Sequence, residues 1–131
     1  MITEGYFAKV KDYPETDWLL CVSLKYPWFV KRDRMGHFDR LAPSKALLSD
    51  WKSGGISWED YEKRFREEMT HMAPERDLAY LGLKDAHGET VRLLCWEKNP
   101  PCHRFILLDM IQSSSGSRSE IRFSSLEGNV R

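Results

Sequence analysis

Apolar residues in this chain gather into short runs, separated by stretches with helical period. Trp18–Leu24 (WLLCVSL) is almost continuously apolar and of strand length, the pattern of a strand covered on both faces. Thr90–Trp96 (TVRLLCW) predicts a second buried strand, and the weakly alternating Thr3–Val10 predicts another. Helical spacing fills the middle of the chain. Ser44 is placed to cap a helix through about Lys52, with Leu47, Leu48 and Trp51 on one face and Gly54-Gly55 as its stop. Ser57 is placed to cap the next helix. There Tyr61, Phe65, Met69 and Met72 recur every three or four residues as a buried stripe, opposite a charged face that solvent accounts for. Pro74 suits the first turn of a third helix, which runs to about Ala86 and ends at His87-Gly88. A fourth helix is expected from about Cys102 to Gln112.

Strands alternating with helices predict an α/β protein: a mostly parallel sheet with helices on both faces, in a single three-layer domain over residues 1–112. Ser113–Ser119 (SSSGSRS) reads as a flexible linker, Glu120–Phe123 as a short edge strand, and the remainder as a tail. The first two strands are too close in sequence for a helical crossover, which leaves the sheet order and the first connection open. The Lys25–Pro43 stretch has no clear period. It is longer than the roughly two to six residues usual between such elements, and long ordered loops are often functional.

Composition changes this picture little. With 131 residues, 41% hydrophobic and 31% charged, the chain can bury a core. A formal net charge of zero gives no global attraction to nucleic acid or membrane. The charge is uneven, however: residues 25–52 carry seven Lys/Arg against three Asp/Glu, a local field that can hold an anion. Three cysteines are too few and too odd for a disulfide framework. No signal pattern follows Met1 and no apolar run approaches membrane-spanning length, so a cytoplasmic protein without a membrane partner is expected.

Parallel sheets bind ligands outside the carboxyl ends of their strands. Two segments meet that rule. After Trp96, Glu97 sits on a rigid strand end, where a carboxylate serves as general base or accepts from a ligand hydroxyl. Pro100-Pro101 then restricts the backbone, and Cys102-His103-Arg104 opens a helix whose free amides favour an anion. Cys102 in that position is expected to have a lowered pKa, and Arg104 offers planar donors to phosphate or carboxylate. The second segment follows Leu24. There Lys25, Lys31, Arg32, Arg34 and Arg40 interleave with Tyr26, Trp28, Phe29 and Phe38, a pattern that can track phosphates while rings stack on bases. Cys21, inside an apolar strand, reads as core. The spacing C-x-E-x4-C-H is not a usual zinc pattern, and neither CxxC nor HExxH occurs, so no metal or cofactor is expected.

The run Leu93-Leu94-Cys95-Trp96-Glu97 followed by Cys102-His103-Arg104 resembles the family known as domain of unknown function 488. That family's usual form is Leu-Leu-Cys-aromatic-Glu, a short turn, then Cys-His-Arg. Leu41-Ala42-Pro43-Ser44 and the helix around Tyr61 are similar too, and the likeness covers roughly residues 3 to 112. It implies an α/β fold and a site built on Cys95, Glu97, Cys102, His103 and Arg104, with no established activity. Many members end the early strand in Asp-x-Arg, whereas this chain has Ser23-Leu24-Lys25 followed by Tyr26-Pro27-Trp28, which suggests a subgroup with a different ligand.

The expectation is an enzyme acting on a phosphate-bearing ligand, a nucleotide or nucleic acid. Glu97, Cys102 and His103 would carry catalysis, and Arg104, Cys95, Lys25, Trp28, Arg32 and Arg34 would hold the ligand. A non-catalytic nucleotide- or nucleic-acid-binding module and a thiol- or metal-dependent enzyme are the alternatives.

Overall fold

A computed structural model describes residues 1–121, with side chains through Ser113. Four strands, β1 (Ile2–Tyr6), β2 (Trp18–Cys21), β3 (Gly36–His37) and β4 (Val91–Cys95), form one all-parallel sheet in the order β1-β4-β2-β3. The short link between β1 and β2 is thereby explained: β4 lies between them and pairs with both. The chain is an α/β domain.

Side chains of paired strand residues share a face, which sorts the core into two. Ile2, Leu20, Val22, Val91 and Leu93 point to one side. They pack there against the apolar stripes of α1 (Lys45–Lys52), α2 (Trp58–Glu68), α3 (Met72–Ala86) and α4 (His103–Ile121), including Leu47, Phe65, Leu81 and Leu107. Leu19, Cys21 and Leu94 point the other way, against Phe7, Val10, Val30 and Met35. The three layers are thus unequal. All four α-helices cover one face; the other is covered by a 3-10 helix, Phe7–Asp12, and by the loop around residues 26–35.

The caps match the sequence. Ser44 Oγ accepts from the Leu47 amide and Ser57 Oγ from the Asp60 amide, both at 3.1 Å. Other boundaries differ. The first strand stops at Tyr6 because Phe7 and Val10 both turn into the core, a three-residue repeat that a 3-10 helix satisfies and a strand does not. The irregular stretch contains β3, a two-residue edge strand, and a second 3-10 helix, Asp39–Leu41. The backbone of α4 continues to Ile121, through the serine-rich segment expected to be a linker. Of the expected edge strand at Glu120–Phe123, Glu120 and Ile121 are helical, and the other two residues lie outside the described ones. No helix among the described residues is long and apolar enough to cross a membrane.

Candidate functional site

Adjacent parallel strands β2 and β4 end on the same sheet edge, so their two exit loops lie side by side. Cys95 is the last residue of β4 and is fully buried. Arg104, in the first turn of α4, reaches back to it. Its Nη1 donates to Cys95 Sγ at 2.8 Å and to the Glu97 carbonyl at 2.6 Å; its Nη2 donates to the Lys98 carbonyl at 2.9 Å. The Nε donates to Glu4 Oε1 on β1, also at 2.8 Å. Arg104 is 0% exposed. It ties β1, the end of β4 and the loop after it to α4, and so fixes where Glu97 stands.

His103 performs a similar task toward β2. Its Nε2 lies 2.7 Å from the Val22 carbonyl. A carbonyl only accepts, so Nε2 carries the proton and the Nδ1 lone pair is left facing Cys102 Sγ, 3.8 Å away. Burial holds the imidazole neutral, lowering its pKa to about 4. Phe65 packs against the ring at 5.5 Å. The Glu97 Oε1 atom lies 3.7 Å from both Cys95 Sγ and Cys102 Sγ. Two thiols and an imidazole nitrogen thus lie within 4.8 Å of one another, with a carboxylate oxygen beside both sulfurs.

The pair of thiols is electrically asymmetric. The hydrogen bond from Cys102 and the guanidinium of Arg104 pull the Cys95 thiol below its ordinary pKa, against its burial. The same hydrogen bond and burial push Cys102 well above it. This corrects the expectation for Cys102. The guanidinium meets the strand cysteine, so the lowered thiol pKa belongs to Cys95.

A cleft of about 770 Å³ opens beside this centre. Glu97, Cys102 and His103 lie along its floor; Trp51, Trp58, Tyr61 and Trp96 contribute rings; Lys25, Lys45 and Lys52 contribute cations, with Asp39 the further carboxylate. Among the described residues none of these three lysines enters an ion pair. Tyr61 is 2% exposed and lines the cleft.

Of the residues singled out from sequence, Cys95, Glu97, Cys102, His103 and Arg104 come together, and Lys25 stands on the wall of the same cleft. Arg104 is not a lining residue: its donors are directed inward, because a buried guanidinium needs partners within the protein. Trp28, Arg32 and Arg34 do not line the cleft. Arg34 donates to the Tyr13 and Pro14 carbonyls, Arg32 lies over the Tyr26 ring, and Trp28 is 89% exposed. The sequence reading missed Glu4, whose partner is 100 residues away, and the contributions of Lys45, Lys52, Trp58 and Tyr61. The tyrosine sits in a helical stripe that explains itself as core, and nothing local marks it as facing a cleft.

Fold and site define a parallel α/β domain with a cysteine-, glutamate- and histidine-bearing centre at its strand ends. The chain belongs to the DUF488 family: the model for the active DUF488-N3 subclade, DUF488-N3a, matches residues 8–115. No curated protein and no solved structure matches it.

Proposed function

We propose that this protein is an enzyme acting on a phosphate-bearing ligand with an aromatic ring, a nucleotide or a nucleotide unit of a nucleic acid. One observation carries this reading. A single cleft joins Glu97, Cys102 and His103 to three lysines that enter no ion pair among the described residues and to a group of aromatic rings. Lysines meet phosphate as mobile point charges, and tryptophans stack on a base irrespective of its identity. Tyr61 lines the same cleft and brings a hydroxyl that can hydrogen-bond a ligand. Glu97 is the general acid or base: it is exposed to the cleft, while Arg104 fixes the backbone that carries it. The anion is assigned to Lys25, Lys45 and Lys52 in place of Arg104.

Titration with mononucleotides, followed by tryptophan fluorescence, tests the binding. Saturable quenching is expected. The change Tyr61→Phe should weaken affinity by roughly 2- to 12-fold, the worth of one hydrogen bond of about 0.5–1.5 kcal/mol. Chromatography of the incubated nucleotides tests catalysis: wild type should convert at least one, and Glu97→Gln should bind it and convert none. Quenching that is insensitive to joint replacement of the three lysines by glutamine would move the ligand elsewhere. Binding without conversion by wild type would make the protein a non-catalytic binding module.

A further inference from the structure

We infer that Cys95, Cys102 and His103 hold a tetrahedral zinc ion, with Glu97 as the displaceable fourth donor facing the cleft. The inference deepens the reading above and rests on the same site. It starts from distances. A tetrahedral ion with Zn–S near 2.3 Å and Zn–N or Zn–O near 2.0–2.2 Å sets its donor atoms roughly 3.5–3.8 Å apart. Here Glu97 Oε1 is 3.7 Å from each sulfur, and His103 Nδ1 is 3.8 Å from Cys102 Sγ. The two sulfurs and Nδ1 all lie within 4.8 Å of one another. The three shortest spacings match edges of a zinc tetrahedron, and the Cys95, Cys102 and His103 donors, within 4.8 Å as a group, would draw in slightly around the ion.

The surroundings fit as well. A metal-bound histidine usually donates its other ring nitrogen to a carbonyl or carboxylate, which fixes the tautomer. The contact from Nε2 to the Val22 carbonyl does this and leaves Nδ1 as the donor atom. Two thiolates and one carboxylate around a dication leave one negative charge in excess, and the buried guanidinium of Arg104, against Cys95 Sγ, neutralises it. Sulfur and imidazole donors suit zinc better than magnesium or calcium. The same four residues stand out in the sequence as potential ligands, but C-x-E-x4-C-H is not a usual zinc spacing, because its donors come from a strand end, the loop after it and a helix start that folding brings together.

The site is also open in the way a catalytic zinc site is. Cys95, Cys102 and His103 are buried, whereas Glu97 is exposed and lines the cleft. The carboxylate is therefore the donor that a water molecule or a ligand group can replace. A closed structural site would bury all four donors.

Protein purified under reducing conditions, so that the two thiols stay unlinked, is stripped with a chelator, loaded with Zn²⁺ or Co²⁺ alone and desalted. The expected result is one metal per chain. The cobalt form should show the intense visible bands of a four-coordinate ion and a near-ultraviolet sulfur-to-cobalt band. Cys102→Ser should lower that sulfur band to about half, because one of two thiolates is lost. Glu97→Gln should keep both the metal and the band, with a shift in the visible envelope. Absence of retained metal in wild type, or a pale six-coordinate cobalt spectrum without the sulfur band, would overturn the assignment. Both readouts on wild type decide the matter even if a variant fails to fold. Mononucleotide quenching measured on the chelator-stripped protein is a separate readout, so the metal and the nucleotide can fail independently.

Discussion

A guanidinium removed from water must find its partners inside the protein, and Arg104 finds four: a carboxylate, a thiol and two backbone carbonyls. Together they join α4 to β1, to the end of β4 and to the loop after it. Deleting one member of such a buried set leaves the others unpaired, which is where the large cost lies. Arg104→Ala is therefore expected to lower unfolding stability by about 3–5 kcal/mol in urea titrations. Arg104→Lys keeps the charge but not the fork, so it should recover only part of that loss. A cost below about 1 kcal/mol for the alanine variant would mean the guanidinium is dispensable, and with it the positioning assigned to Glu97. At this scale the sequence was informative about identity and poor on role. The Cys-x-Glu and Cys-His-Arg residues stood out because a buried strand and a helix start flank a tight turn. The inward direction of Arg104 did not, because its main partner, Glu4, lies at the opposite end of the chain.

Elements follow local signals where those signals are local. Ser44 and Ser57 precede apolar periodic runs, and both hydroxyls cap. Ser44 does more: its amide and hydroxyl both donate to Glu68, at 2.9 and 2.5 Å, tying the start of α1 to the end of α2 on the rim near the cleft. Among the described residues the Ser57 hydroxyl makes the capping bond alone. Ser57→Ala should thus cost about 1 kcal/mol, a cap alone, and leave nucleotide affinity unchanged. Thermal and urea unfolding beside a fluorescence titration would check this. An affinity loss would show that α2 positions Trp58 and Tyr61 more loosely than their stacked rings, with centroids 4.6 Å apart, suggest. The elements that escaped the sequence lack local signals. β3 is two residues long, and its pairing to Leu20 and Cys21 is a property of the assembled sheet. The 3-10 helix after β1 depends on what Phe7 and Val10 find to pack on. That all four α-helices share one face also follows from strand order, which no single segment encodes.

At the scale of the whole molecule, the cleft does not end at its rim. Trp96, on its wall, has Phe29 beside it with centroids 6.2 Å apart, and Phe29 has Trp28 at 5.4 Å. These rings form an aromatic ridge leading outward from the cleft to the 89% exposed Trp28, and Lys31 and Arg32 follow in the same loop. A lone exposed tryptophan is unremarkable, since folded surfaces remain largely apolar. A ridge continuous with a cleft wall is a different matter, because successive bases of a single strand stack on successive rings. If the ligand is part of a strand, a short single-stranded oligonucleotide should bind more tightly than a mononucleotide. Trp28→Ala should then weaken the oligonucleotide by roughly 5-fold or more, the lower bound of 1–3 kcal/mol per stacked base. The same change should leave the mononucleotide untouched, since Trp28 does not line the cleft. Replacing Lys31 and Arg32 by glutamine should flatten the salt dependence of oligonucleotide binding alone, because each neutralised phosphate contact releases counterions. Fluorescence anisotropy of a labelled oligonucleotide over a salt series reads all three effects. Equal affinity for the two ligands, unmoved by Trp28→Ala, would confine recognition to the cleft and make the substrate a free nucleotide.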